Sequence, residues 1–166
     1  RQELVQLPRC PTRRVISDNF LNALNHIASN SVDLIVTSPP YLNNYHYVRN
    51  TRPQLFWLGF IRQPSELKRL ETENFGKYWQ TVRDAEPVRL DFRHAGLERL
   101  LETIRGINVE RGSYGGAGWA NYAASYFNDT SRFCRNVRQI LKPGAHAVVV
   151  VGNSILQGVE IPVDNI

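Results

Sequence analysis

The sequence predicts an α/β fold built on a mostly parallel sheet. Residues 13–38 read as strand, helix and strand in quick succession, the pattern of a βαβ unit. A long amphipathic run at 119–141 then leads through "KPG" into a second apolar strand at 145–154. Both apolar strands, "SVDLIVTS" and "AHAVVVVGNS", end on small polar residues.

Taken in order, "RRVISDN" (13–19) gives a short strand at Val15–Ile16 that stops at a polar turn. Phe20, Leu21, Leu24 and Ile27 then recur at helical spacing, and Asp18 or Asn19 can cap that helix. Residues 31–38 form a buried strand through Val32, Leu34, Ile35 and Val36. "LFWLGF" (55–60) lies on a helix that starts near Pro53. From about 62 to 111 the chain turns polar and charged, with helical periodicity at Leu97, Leu100, Leu101 and Ile104, and reads as a helical insertion. "GSYGGAG" (112–118) reads as a flexible loop. In the long helix, Tyr122, Tyr126, Phe133, Val137, Ile140 and Leu141 form the buried stripe, with Arg132, Arg135 and Arg138 outside. "KPG" (142–144) punctuates its end.

Bulk composition narrows the class. With 166 residues, 42% hydrophobic and 21% charged, the chain fits one soluble globular domain or a fragment of one, spanning 1–166. No apolar run approaches the roughly 20 residues of a membrane helix, so no membrane partner is expected. No secretory leader opens the chain, and Cys10 and Cys134 read as reduced thiols of a cytoplasmic protein. His26, His46, His94 and His146 have no ligand spacing, so no metal is expected, and His146 reads as structural. The net charge of +5 is compatible with a polyanion such as DNA or RNA. The chain opens on Arg1, contains no methionine and closes on "GVEIPVDNI", so it is expected to be incomplete.

The chemistry concentrates in "TSPPYLNNYHY" (37–47). In open parallel sheets, ligands bind at the carboxyl ends of strands, where Thr37–Tyr41 falls. Pro39 and Pro40 fix two φ angles and remove two N–H donors. They also push the residue before each toward extended geometry. Ser38 and the neighbouring carbonyls thus become rigid acceptors, which suits an exocyclic amino group. Such an amine is a poor nucleophile because its lone pair is delocalised. Oxygens that accept its hydrogens favour the positive charge that develops as nitrogen attacks. Tyr41 supplies a flat face for a ring, and a base in a duplex must be flipped out to reach it. A proline turn beside a buried tyrosine is the plainer reading of "PPY" alone.

Residues 13–47, "RRVISDNFLNALNHIASNSVDLIVTSPPYLNNYHY", resemble DNA amino-methyltransferases that modify cytosine N4 or adenine N6. That family's signature is Asp, Asn or Ser, two prolines and an aromatic residue, matched by "SPPY" at 38–41. "LKPGAHAVVVVGNS" and "YHYVRNTRPQLFWLGF" resemble further segments of it, so about half the chain is covered. The resemblance implies a Rossmann-like fold and methyl transfer from S-adenosylmethionine to a flipped DNA base. The serine form favours cytosine N4 over adenine N6. By position, Ser38 and Pro39 would hold the amine, Pro40 would stiffen the turn, Tyr41 would stack on the base, and Asp18 would lie near the cofactor. No covalent enzyme–base intermediate is implied, so no catalytic cysteine is needed. A bacterial or phage restriction–modification setting is implied too.

The family's glycine-rich cofactor loop, F-x-G-x-G after a strand, does not occur in residues 1–166, and no apolar strand precedes "GSYGGAG". Two rival readings follow: an RNA or protein-amide methyltransferase, whose motif usually begins with asparagine or aspartate, and a non-catalytic nucleic-acid-binding relic. Asn43, Asn44, Tyr45, His46 and Tyr47 can form a lid that reads base edges or an ordinary polar loop. Arg49 and Arg52 can reach phosphates or only water. Asn153 can face the same cleft or serve as a turn residue. The charges of 62–111 can recognise the target or form a solvated face, because acids interleave with the arginines.

Overall fold

A computed structural model describes residues 12–43 and 45–166. Cys10 and Asn44 lie outside the described residues. The two apolar runs pair directly. β1 (Val32–Thr37) and β2 (Leu141–Val149) are parallel, with Ile35 opposite Ala147, Val36 opposite Val148 and Thr37 opposite Val149. Among the described residues, everything between them is helix, turn or coil, so 38–140 is one long crossover. A small antiparallel pair follows, β3 (Ser154–Leu156) and β4 (Val159–Ile161). The fold is α/β with a parallel pair at its centre.

The crossover contains α1 (Tyr47–Asn50), α2 (Arg52–Trp57), α3 (Leu67–Glu73), α4 (Trp79–Val82), α5 (Ala95–Arg105) and α6 (Gly116–Ile140). Residues 62–111 are largely helical. Leu97, Leu101 and Ile104 lie one turn apart on α5 and are buried in one cluster with Tyr122, Tyr126 and Phe127 of α6. His94 caps α5, its Nδ1 accepting from the Leu97 N–H at 2.9 Å.

Helix α6 is the spine. Tyr122, Tyr126, Phe133, Val137 and Ile140 are buried, while Arg132, Arg135 and Arg138 are exposed. Three asparagines on it fasten other segments. Asn121 Oδ1 accepts from Val88 N–H at 2.9 Å, and its Nδ2 donates to Ala85 O at 3.0 Å. Asn128 holds the backbone at Arg89 and Asp91 in the same way. Asn136 Nδ2 donates to the carbonyls of Phe20 and Leu21 at 3.2 and 3.0 Å. These bonds tie two loop segments and the Phe20–Asn25 turn to the helix.

Four expectations are corrected. Val15–Ile16 forms no strand: Val15 is exposed and no neighbouring strand hydrogen-bonds to it. The following helix is a 3₁₀ turn, Phe20–Asn25, capped by Asn19, whose Oδ1 accepts from Leu21 N–H at 3.0 Å. "GSYGGAG" is not a free loop. It straddles a 3₁₀ turn (Val109–Tyr114) and the first turn of α6, with Gly115, Gly116 and Gly118 buried. A side chain on Gly116 would collide with the Ile104 carbonyl, so glycine is required there for close backbone approach. "KPG" lies past the helix end: Leu141 already pairs with Val32, and Lys142–Ala145 bulge out before pairing resumes at His146. Pro143 fits a bulge, where no ladder donor is needed.

The strands are also less buried than their apolar runs suggest. Ile35 packs on the cluster of Leu21, Phe133 and Val137. On the other face Leu34, Val36 and Val148 are 56%, 69% and 51% exposed. His146, expected to be structural, is exposed beside Leu34. Among the described residues, α6 and the 3₁₀ turn cover one side of the sheet only. No helix among them is long and apolar enough to cross a membrane.

Candidate active site

The last rung of the parallel pair is the Val150 N–H to Thr37 carbonyl bond, 3.0 Å. The chain leaves the sheet immediately beyond it, at Ser38. Pro39 cannot donate to a further rung, so strand pairing ends where the proline pair begins. The turn thus stands at the carboxyl edge of the sheet, with Ser38 exposed and the prolines partly so.

A cavity of about 560 Å³ opens beside it, within the range of roughly 300–1,000 Å³ usual for small-molecule sites. Thr37, Ser38, Pro39 and Pro40 form one wall. Asn19 and Phe20 come from the 3₁₀ turn, Tyr47 and Thr51 from the α1 region, and Phe75 and Phe133 from the far side. The aromatic walls are fixed: Phe133 packs on Phe20 with ring centres 5.1 Å apart and edge-on to Phe75 at 6.0 Å. A flat ring could enter between aromatic faces with its polar edge toward Ser38.

Ser38 Oγ donates to Tyr41 Oη at 3.2 Å, and Val150 O lies 3.5 Å away. Its proton has partners within the turn, which leaves oxygen lone pairs to accept from an amine. Tyr41 does not line this cavity. Its ring runs alongside Gly152, 3.9 Å from where a Cβ would stand. Leu42 is fully buried and anchors the turn to the main core.

The residues after the signature separate. Asn43 makes a tight turn, its N–H bonding Tyr41 O at 2.9 Å and its Oδ1 accepting from Tyr45 N–H at 3.2 Å. It borders a different hollow of about 440 Å³, shared with Asn153. Asn153 there accepts from the Asp164 N–H at 3.2 Å and does not line the Ser38 cavity. Tyr45 is exposed and meets Tyr47 edge-on at 4.8 Å. Arg49 is exposed on α1.

His46 pins this loop. Its Nδ1 accepts from Arg49 N–H at 3.2 Å, its Nε2 faces Glu71 Oε1 at 3.3 Å, and its ring packs on Tyr78 at a 35° tilt with ring centres 3.9 Å apart. Burial holds the imidazole below its ordinary pKa, against the pull of Glu71. In its neutral form the ring would carry its proton on Nε2, because Nδ1 accepts from the Arg49 N–H.

Asp18 borders a second cavity of about 820 Å³, which shares Asn19, Leu55, Leu70 and Glu73 with the first. Its carboxylate accepts from Asn19 N–H at 2.7 Å and Asn22 Nδ2 at 3.1 Å, and meets His26 Nε2 at 2.6 Å. These bonds, His26 first, hold its pKa below the ordinary value. Asn19 is the residue that sequence reasoning undervalued. Besides capping, its Nδ2 donates to Glu73 O at 2.6 Å, and it lies on both cavities. Its place in the acidic turn was the available signal. Phe75 and Phe133 had none, because only tertiary packing brings them to the turn. Among the described residues no cluster of three or more His, Cys, Asp or Glu could hold a metal ion.

No family model matches the chain, and no solved structure matches it. It is similar to a curated protein, the Type II methyltransferase M.BsoBI of Geobacillus stearothermophilus, at 31% identity over 172 aligned residues. The alignment takes in 95% of this chain but 34% of that protein, so the chain spans about a third of its relative's length. A stiff proline turn at the edge of a parallel sheet, beside an aromatic cavity, thus belongs to a chain whose likeness to a known protein supports a methyltransferase family.

Proposed function

We propose that this chain is the amine-binding part of a Rossmann-like DNA methyltransferase that methylates an exocyclic amino group of a flipped base, cytosine N4 in preference to adenine N6. The observation that carries this reading is the Ser38–Pro40 turn, which faces an open cavity of about 560 Å³ with aromatic walls. The likeness to a Type II methyltransferase supports the reaction class. The serine at the head of the signature supports cytosine.

In this reading the base enters with its amino group toward Ser38 Oγ and the Pro39 carbonyl. Both would accept amine hydrogens, localise the nitrogen lone pair and stabilise positive charge on that nitrogen while the nitrogen–carbon bond forms and the donor's sulfur–methyl bond breaks, the sulfur keeping the electron pair and the surplus amine proton leaving to solvent. Because the acceptors are held by the proline pair, little reorganisation is needed during reaction. Tyr41 stacks on the base after turning from its place beside Gly152, and Asn43, Asn44, Tyr45 and Arg49 contact the nucleic acid around it.

S-adenosylmethionine supplies the methyl group. Asp18, on the wall of the cavity of about 820 Å³, would lie beside it. Asp18 already accepts three hydrogen bonds, and no glycine-rich loop follows an apolar strand in residues 1–166. The bare face of Leu34, Val36 and Val148 is where further layers of the intact enzyme would pack. The setting is bacterial or phage restriction–modification in the cytoplasm.

The test is transfer of labelled methyl from S-adenosylmethionine by the intact protein, offered duplex DNA, RNA and protein in parallel. Label on DNA alone is expected. Label on RNA or protein instead would overturn the DNA reading.

A further inference from the structure

Helix α2 ends at a glycine stop. Its last turn closes with the Phe60 N–H bonding Leu55 O at 2.9 Å and the Gly59 N–H bonding Phe56 O at 3.0 Å, with Gly59 at φ +72°. This is a Schellman cap, a rigid stop. It is built of apolar side chains that face water: Trp57, Leu58 and Phe60 are 86%, 61% and 68% exposed. Single exposed apolar residues are ordinary, but three within four positions on a fixed turn form a patch.

The stretch of sequence that carries the patch is basic, although Glu66 Oε2 accepts from the Arg62 N–H at 3.1 Å and Asp18, Glu73 and Asp129 line the cavity that Phe60 borders. Residues 34–65 contain three arginines, Arg49, Arg52 and Arg62, and no aspartate or glutamate. All three are exposed, and none enters an ion pair among the described residues. On the bare face of the sheet, Lys142 is paired with Asp33 at 2.8 Å. Arg52 lies over the Phe56 ring at 5.9 Å, and an apolar tip among exposed arginines outside any ion pair suits a polyanion with an apolar interior. The turn also stands near the candidate site. Leu55 lines the Ser38 cavity and the adjoining one, and Phe60 lines the latter.

From this juxtaposition we propose that Trp57, Leu58 and Phe60 form a wedge that enters duplex DNA beside the target base, with Arg49, Arg52 and Arg62 on the flanking phosphates. The inference rests on the DNA reading above. Removing a base from the stack leaves an apolar gap, and a rigid apolar side chain that fills it offsets the cost of unstacking. The arginines fix the register of the wedge without reading sequence.

The experiment uses the intact protein and two fluorescent duplexes of the same sequence, one containing a single abasic site. A preformed gap removes the unstacking cost, so wild type should bind the abasic duplex about 10-fold tighter. Trp57→Ala combined with Phe60→Ala should abolish that preference while leaving affinity for the unbroken duplex within about 3-fold, since phosphate contacts supply it. Trp57→Phe should keep the preference. Arg52→Gln with Arg62→Gln should weaken both duplexes alike and make the salt dependence shallower by about 2. Tight DNA binding with no abasic preference in wild type would overturn the wedge and leave the DNA reading standing. Failure to bind either duplex would overturn both. Shielding of Trp57 from a soluble quencher without DNA, with a lower melting temperature for Trp57→Ala, would show that protein covers the patch and would also overturn the wedge.

Discussion

Replacing Ser38 with alanine separates a chemical role from a structural one. The hydroxyl is exposed, and its contacts are long: 3.2 Å to Tyr41 Oη and 3.5 Å to Val150 O. An exposed bond of that length falls at or below the bottom of the usual range of about 0.5–1.5 kcal/mol. At this chain length about 0.5 kcal/mol moves the melting temperature by roughly 1–2 °C. The catalytic loss should be far larger. Removing one preorganised donor or acceptor from a developing charge typically costs about 100- to 1,000-fold in rate, or roughly 3–4 kcal/mol. Ser38→Ala in the intact protein should therefore lose at least about 100-fold in methyl transfer while DNA affinity changes by less than about 3-fold. Transfer of labelled methyl under single-turnover conditions, a duplex-binding isotherm and a thermal melt measure the three quantities. Tyr41→Ala should behave similarly, whereas Tyr41→Phe should stay within about 10-fold of wild type because the stacking face survives. A rate within about 3-fold of wild type for Ser38→Ala, or a rate loss matched by a melting shift of many degrees, would refute the argument.

Further outcomes follow from the packing. Asn136→Ala leaves the Phe20 and Leu21 carbonyls without their donor and should cost about 1–3 kcal/mol, read as a lowered urea midpoint. Gly116→Ala sets a methyl against the Ile104 carbonyl, so little folded protein is expected by circular dichroism, and a native-like melt would contradict the reading of that close approach. The Asp18 pKa lies below its ordinary 3.8 because His26, Asn22 and the Asn19 N–H bond its anion. The folded state thus releases that proton more readily than the unfolded state. Its stabilisation is complete above about pH 4 and disappears as pH falls through the depressed value. His26→Ala should raise the Asp18 pKa in an NMR titration, and an unchanged value would remove His26 as the main cause.

What the sequence revealed depended on how local the cause was. Strand β1 and its stop at Ser38 were legible because apolar run and proline pair are adjacent in sequence. The stripe of α6 was legible because its period is fixed by helix geometry. Val15–Ile16 has strand-forming residues but no hydrogen-bonding neighbour, and pairing is not a property of one segment. "GSYGGAG" has the composition of a loop, yet Gly116 packs against the Ile104 carbonyl, a contact set by the approach of α5 to α6. For the same reason the Ser38–Pro40 wall could be read in advance, while Phe75, Phe133 and the second role of Asn19 could not. Asn43 follows the signature closely in sequence but turns toward another hollow, because Leu42 is drawn into the core between them.

The most direct measurement is mass spectrometry of nucleosides from duplex DNA incubated with the intact protein and S-adenosylmethionine. The central claim is that oxygens locked by two adjacent prolines receive the NH₂ of a nucleobase. It predicts N4-methylcytosine that vanishes when Ser38 is alanine. Methylation at a ring carbon, or product formation untouched by that substitution, would contradict it.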